Sequence, residues 1–273
     1  MIAALTMQDL MDAVADMKWE VEEFQASMPP EDIGPFQNVL ILELKALNRL
    51  GAAMRGSLAT LKLGFEGRLT MSEAMEKLEE ELSLDKVPGS WTKLAWPSMR
   101  MLGTWKVDLI KRAEQLRAWQ DNPMEVPKCL WLAGLVNPQS YLTAIRQTKA
   151  QRESLELDRL TIQTDVTKRW AEEVTESSRD GAHITGMYIT GATFDVASGS
   201  VEKSKPRQMQ TLMPVINVRS VLLEKLDMKG VFACPVYKTQ MRGPTYVFSA
   251  QLKTKAPSAR WVMAGCCCVF DYE

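Results

Sequence analysis

The chain has 273 residues, 46% hydrophobic and 25% charged, and 33 Lys and Arg against 34 Asp and Glu leave a net charge of −1. That is enough for two ordinary domains or one larger one with a substantial core, and it argues against a disordered chain. The balanced charge gives no global field for nucleic acid or an acidic membrane, and no apolar run reaches the length of a membrane span.

The N-terminus does not read as a signal peptide, because Asp9, Asp12 and Asp16 interrupt its apolar residues. Leu10, Met11, Val14, Met17, Val21 and Phe24 recur at helical steps and predict a helix from about Gln8 to Phe24, stopped by Met28-Pro29-Pro30. A stronger stripe, Leu40, Leu44, Leu47, Leu50, Met54, Leu58 and Leu61, predicts a second helix that breaks at Gly64 and Gly67. Thr70 and Glu73 have capping-box spacing for a third, which should bury Met75, Leu78 and Leu82 and end before Pro88-Gly89. Pro97-Ser98 is expected to open a fourth, with Leu102, Trp105, Leu109, Leu116 and Trp119 on one side.

The texture changes after Asp121-Asn122-Pro123. Cys129 to Val136 has strand-like length, although a buried helical turn fits as well. Asn137-Pro138 starts a helix to about Arg152 that should bury Leu142 and Ile145. Strand patterns then dominate: Leu160 to Val166, Ile184 to Ile189, Met213 to Val218, and Tyr246 to Lys253, where Tyr246, Phe248, Ala250 and Leu252 should share the buried face. Trp261 to Phe270 is apolar on both faces and should be central. Turn signals at Asp180-Gly181, Ser198-Gly199, Lys229-Gly230 and Arg242-Gly243-Pro244 separate the runs. The fold class expected is α+β: a helical region at 1–125, then an α+β domain at 126–273 whose antiparallel sheet would curl into a barrel-like form and so hide its edges.

Five cysteines, three of them consecutive at 266–268, point to a reducing compartment. Neighbouring strand residues face opposite ways, so the triplet is a poor disulfide framework and a poor zinc cage, and it reads as a buried strand. His183 is the single histidine, so a multi-histidine metal site is excluded, and a Ser-His-Asp or Cys-His mechanism would hang on that residue alone. Gly64-Phe65-Glu66-Gly67 lacks the Gly-Lys-Ser/Thr of a phosphate loop, and no such loop or dinucleotide fingerprint occurs elsewhere. Glu79, Glu80 and Glu81 point in different directions on a helix and read as a solvated helix end. Lys203, Lys205 and Arg207, interrupted by Pro206, read as a solvated loop. Trp91, Trp96, Trp105, Trp119, Trp131, Trp170 and Trp261 are expected mainly in the core, with a Met-rich docking surface as the alternative. No catalytic, cofactor-binding or metal-ligating residue emerges.

Several strings in order carry a resemblance: Leu63-Gly64-Phe65-Glu66-Gly67-Arg68-Leu69-Thr70-Met71, Val87-Pro88-Gly89-Ser90-Trp91, Leu94-Ala95-Trp96-Pro97-Ser98, Trp131-Leu132-Ala133-Gly134-Leu135 and Asn137-Pro138-Gln139-Ser140-Tyr141-Leu142-Thr143-Ala144. Asp165-Val166-Thr167-Lys168, Gly191-Ala192-Thr193-Phe194-Asp195, Cys234-Pro235-Val236-Tyr237-Lys238-Thr239 and Arg242-Gly243-Pro244-Thr245-Tyr246-Val247-Phe248 follow. Over roughly residues 36–265 this set resembles the C-terminal region of dynein heavy chains, more the axonemal members than the cytoplasmic transport ones. The triple Cys and Val269-Phe270-Asp271-Tyr272-Glu273 depart from the apolar ending of that family.

The resemblance implies a region after the last AAA+ module of a very large motor chain, cytoplasmic and in the axoneme of a cilium or flagellum. Residues 1–125 could then include the end of that module. Its partners would be AAA+ ring modules of the same heavy chain, with microtubules reached only through the parent stalk and with no nucleic acid or membrane partner. ATP and Mg would bind other modules. The expected role is bracing the ring and modulating motility. Two other readings remain: a freestanding protein–protein interaction module, and a small hydrolase using carboxylates such as Asp165 and Asp195.

Overall fold

The computed structural model describes residues 2–270; Asp271, Tyr272 and Glu273 of the divergent terminal string lie outside the described residues. The fold divides into two compact units, one of residues 1–32 and 40–121, the other of residues 33–39 and 122–273.

The first unit is helical. The single helix expected from Gln8 to Phe24 is two, α1 (Ile2–Ala15) and α2 (Val21–Ala26). The reason lies on the long helix α3 (Pro35–Phe65). Arg55 Nη1 donates to the carbonyls of Val14 at 3.0 Å and Met17 at 2.7 Å, capping the end of α1. Asn48 then takes both backbone groups of Trp19: Oδ1 accepts from its N–H at 2.9 Å and Nδ2 donates to its carbonyl at 2.6 Å. A helix break whose buried backbone groups all find partners costs little, so the helical periodicity of the sequence is overridden.

The expected leucine stripe of α3, from Leu40 to Leu61, is buried throughout. The helix ends in a six-to-one hydrogen bond from Arg68 N–H to Leu63 O at 2.9 Å, with Gly67 N–H to Gly64 O at 3.0 Å inside it. Gly67 adopts φ +69°, the left-handed conformation this terminator needs.

Helix α4 (Glu73–Ser83) buries Met75, Leu78 and Leu82. Its cap is Ser72, not Thr70: the Ser72 hydroxyl accepts from Met75 N–H, and Glu73 is already the first helical residue, too early for the reciprocal bond of a capping box. A short turn α5 (Gly89–Thr92) follows. Helix α6 (Leu102–Asp121) begins later than Pro97-Ser98, because its first donors are taken by Asp85: Leu102 N–H by the backbone carbonyl at 2.9 Å and Gly103 N–H by the carboxylate at 3.0 Å.

The second unit runs β1 (Leu130–Trp131), a 3-10 turn at Leu132–Gly134, α7 (Pro138–Glu153), β2 (Leu160–Val166), β3 (Ala182–Thr185), β4 (Tyr188–Thr190), β5 (Thr193–Asp195), β6 (Ser200–Glu202), β7 (Gln210–Leu212), β8 (Ile216–Leu222), β9 (Val231–Tyr237), β10 (Tyr246–Lys253), α8 (Ser258–Met263) and β11 (Cys267–Val269). One sheet has the order β1-β3-β8-β2, the other β10-β9-β11-β4-β7, and β5 pairs with β6 alone. Helix α7 packs on β2 and β8, burying Leu142 and Ile145 as expected.

Each main sheet is mixed rather than antiparallel throughout. The pairs β1–β3 and β11–β9 are parallel and the others antiparallel. A parallel neighbour needs a crossover; the segment between β1 and β3 includes α7, and that between β9 and β11 includes α8.

Two segments serve both sheets. Strand β3 pairs with β8, and β4 with β7. The segment carrying β3 and β4 bends at Gly186, whose φ is +91° and whose added Cβ would lie 2.1 Å from Trp131 Cδ1. Among the described residues the backbone ladders do not close into a barrel.

Strand β10 is buried at Phe248, Ala250 and Leu252, but Tyr246 is exposed and Val247 buried in its place. An irregularity in the pairing with β9 falls between Tyr246 and Phe248 and flips the first residues. The apolar run from Trp261 splits: α8 leaves Met263 88% exposed, and only Cys267–Val269 forms the central strand of its sheet.

Candidate functional site

The residues that could have carried chemistry are placed apart and mostly hold structure. His183 is buried in β3 with Nδ1 3.3 Å from Lys128 O. Burial pushes its pKa below the ordinary imidazole range, and the Arg169 charge acts in the same direction. Glu81 accepts from Gly89 N–H at 3.4 Å, serving the α5 turn, while Glu79 and Glu80 lie along α4. Lys203, Lys205 and Arg207 are exposed between β6 and β7. Gly64 and Gly67 form the α3 terminator described above.

The two carboxylates of the hydrolase reading have separate duties. Asp165 pairs with Lys253 at 3.0 Å on β10. Asp195 accepts from Ser198 N–H at 2.7 Å, and hydrogen bonds from Ser198 hold its carboxyl below the usual range. Asp165 borders an open cleft of about 500 Å³ whose other walls include Arg219, Lys229, Lys253 and Lys255; Asp195 is not among its lining residues.

Beneath that cleft lies an arrangement the sequence did not announce. Strands β2 and β10 share no backbone ladder, yet Thr164 N–H donates to Gln251 Oε1 at 2.7 Å and Gln251 N–H donates to Thr164 Oγ1 at 2.6 Å. The Thr164 hydroxyl donates to Gln251 Oε1 at 2.8 Å, and Gln251 Nε2 reaches Ile162 O at 3.4 Å.

In the helical unit, Trp91, Trp105 and Trp96 form a run of stacked rings with centroids 6.4 and 5.1 Å apart. Arg112 closes the run, its guanidinium 3.8 Å from the Trp96 centroid. Trp91 Nε1 donates to Ser57 Oγ at 3.0 Å. Asp108 is buried beneath, accepting from Arg100 at 2.9 Å and lying 3.7 Å from Arg112. The Asp108 and Arg112 spacing, one helical turn apart on the apolar side of α6, is the one sequence signal for this network. Trp119 and Trp261 are buried too, while Trp170 is exposed. Among the described residues no group of three or more His, Cys, Asp or Glu is arranged to hold a metal ion, and no helix is long and apolar enough to cross a membrane.

The family model for the C-terminal domain of the dynein heavy chain matches residues 2–270. The protein belongs to that family. It is 43% identical over 270 residues to the dynein beta chain, flagellar outer arm, of Chlamydomonas reinhardtii, covering 98% of this chain and 6% of that protein. It is 38% identical over 259 residues to dynein axonemal heavy chain 9 of Homo sapiens, covering 95% of this chain and 6% of that protein. To the ciliary dynein beta chain of Heliocidaris crassispina it is 37% identical over 235 residues, covering 86% of this chain and 5% of that protein. The sequence thus spans about 6% of the length of the curated dyneins it matches.

In this dynein C-terminal domain the strings that carried the resemblance sit at turning points of the fold. Leu63 to Met71 is the α3 terminator and the approach to α4. Asn137 to Ala144 starts α7, and Arg242 to Phe248 is the β9–β10 connection with its pairing irregularity.

Proposed function

We propose that this domain is a non-catalytic part of an axonemal dynein heavy chain, packing on one face of the AAA+ ring and modulating ATP-driven microtubule motility of cilia or flagella. Residues 1–125 serve as its helical region and residues 126–273 as its α+β domain. In the latter, the β3/β4 and β7/β8 segments that serve both sheets and the Thr164–Gln251 seam support a barrel-like arrangement. No residue of the domain serves as catalyst, cofactor ligand or metal ligand. ATP and Mg act in other modules of the parent, and microtubules are reached through its stalk. The protein works in the axoneme with the rest of its own heavy chain as partner.

The observation that carries this reading is the alignment: 98% of the sequence matches 6% of a flagellar outer-arm dynein. The packing supports it, since the candidate acids and the single histidine are engaged in ion pairs, caps and a backbone contact. Blotting source-cell extract with an antibody to this domain tests the reading. A band many times larger than 30.7 kDa, enriched in cilia or flagella, is the result expected. A main band near 30.7 kDa, with proteolysis excluded, would favour a freestanding interaction module.

A further inference from the structure

Three buried thiols meet across the parallel pair β9–β11. Cys268 lies opposite Val236, so the two-residue strand period puts Cys234 on the Val236 side and Cys266 on the Cys268 side, with Cys267 facing the other way. The Cys234 and Cys268 sulfurs are 3.8 Å apart. Cys266, one residue before β11, also lies beside Cys234, so Cys234 sits between two thiols. Beside them, Arg242 donates from Nη2 to Gly265 O at 3.1 Å, which brings its guanidinium next to Cys266.

This arrangement is more than three small apolar side chains in a core. The hydrogen bond from Cys234 holds the Cys266 thiol below the usual range against the effect of burial, and the Arg242 charge adds to it. Hydrogen bonds to Cys266 and Cys268, with burial, push Cys234 well up. A thiol whose ionisation is favoured beside one that holds its proton more tightly matches the division of labour between an attacking and a resolving cysteine.

We infer that Cys234, Cys266 and Cys268 form an oxidisable site in which hydrogen peroxide joins Cys234 to the 266/268 pair as a disulfide tying β9 to β11. The Cys266 thiolate attacks one peroxide oxygen, the O–O bond breaks, and the departing hydroxide takes up a proton to leave as water. The resulting sulfenic acid is attacked by Cys234, which gives up its proton as the S–O bond breaks and a second water leaves. Two thiols and one peroxide become one disulfide and two waters. Cys268, already in contact with Cys234, replaces Cys266 by thiol–disulfide exchange. The sulfurs must close to about 2.05 Å, which the 3.8 Å contact leaves within reach of side-chain rotation and a small strand shift.

The test uses the full-length protein carrying this domain. It is treated with hydrogen peroxide, unfolded in N-ethylmaleimide, digested without reductant and mapped by mass spectrometry. The expected product is a reductant-sensitive cross-link between the Cys234 peptide and Cys266 or Cys268. Cys234→Ala should abolish it and Cys267→Ala should leave it unchanged. Complete alkylation of all four thiols, sulfinic or sulfonic acid without a cross-link, or a link through Cys267 would each overturn the proposal. The wild-type map decides the matter even where a variant fails to fold.

Discussion

Thr164 and Gln251, 87 residues apart, bind each other's backbone N–H through their side chains, at 2.7 and 2.6 Å, where β2 and β10 meet without a ladder of their own. Two polar side chains thus supply the bonds that backbone carbonyls would supply in a continuous sheet, and they do so at the floor of the cleft bordered by Asp165 and Lys253. Thr164→Val keeps the shape and removes the hydroxyl, leaving Gln251 N–H without its acceptor. The expected loss is about 1–3 kcal/mol, read as faster amide exchange in β2 and β10 with little change in α7. Unchanged exchange would mean the seam is held by other contacts.

The α1–α2 break depends on two side chains of α3. Asn48→Ala strips both hydrogen bonds from buried Trp19. About 2 kcal/mol or more should be lost, and exchange at residues 16–21 should rise first. Arg55→Met keeps much of the stem but drops the α1 carbonyl cap, so α1 should fray from its C-terminus.

Trp105 sits between Trp91 and Trp96 in the stacked run. Trp105→Ala should cost about 3–5 kcal/mol, the scale for emptying an aromatic core position, in denaturant unfolding. A loss under about 1 kcal/mol would show that the stack adds little to the helical unit.

Gly186 allows the bend between β3 and β4. Gly186→Ala places a Cβ 2.1 Å from Trp131 Cδ1 at φ +91°. The backbone conformation alone should cost about 1–3 kcal/mol, before the Trp131 ring moves. Trp131→Ala in the same molecule should recover part of the loss, whereas a purely conformational penalty would leave it intact.

His183 makes stability depend on pH in a direction the burial dictates. Its folded pKa is depressed from 6.5, so the unfolded state takes up a proton first as pH falls. Its contribution is therefore fully present above pH 6.5 and is lost progressively as pH drops from there through the folded pKa. Unfolding measured from pH 7.5 to 5 should show this decline, and His183→Gln should flatten it.

Much of the helical unit was legible because a seven-residue leucine-rich stripe and a glycine terminator are local signals. What was not legible depended on residues far away in sequence. Nothing near Met17 says that Asn48 and Arg55 will accept the break, and nothing near Ser98 says that Asp85 will cap α6. The Thr70 reading failed by two residues because spacing alone cannot tell which hydroxyl adopts the extended cap conformation. In the second unit, Cys266 to Cys268 are buried as read, with Cys267 and Cys268 in strand β11 and Cys266 just before it, but Trp261 to Met263 formed a helix because a short apolar run has no period to separate the two. The parallel pairs follow from crossovers, and two segments pass from one sheet to the other, neither of which a strand-by-strand reading sees. Family membership was the most legible feature of all, since it rested on the order of many strings.

Removing this domain from the full-length dynein heavy chain, with nucleotide binding and microtubule gliding measured together, tests whether it modulates the motor. The remaining ring should still bind nucleotide while gliding velocity or ATP turnover changes. Loss of nucleotide binding in a ring that remains folded, or motility identical to that of the intact motor, would contradict it.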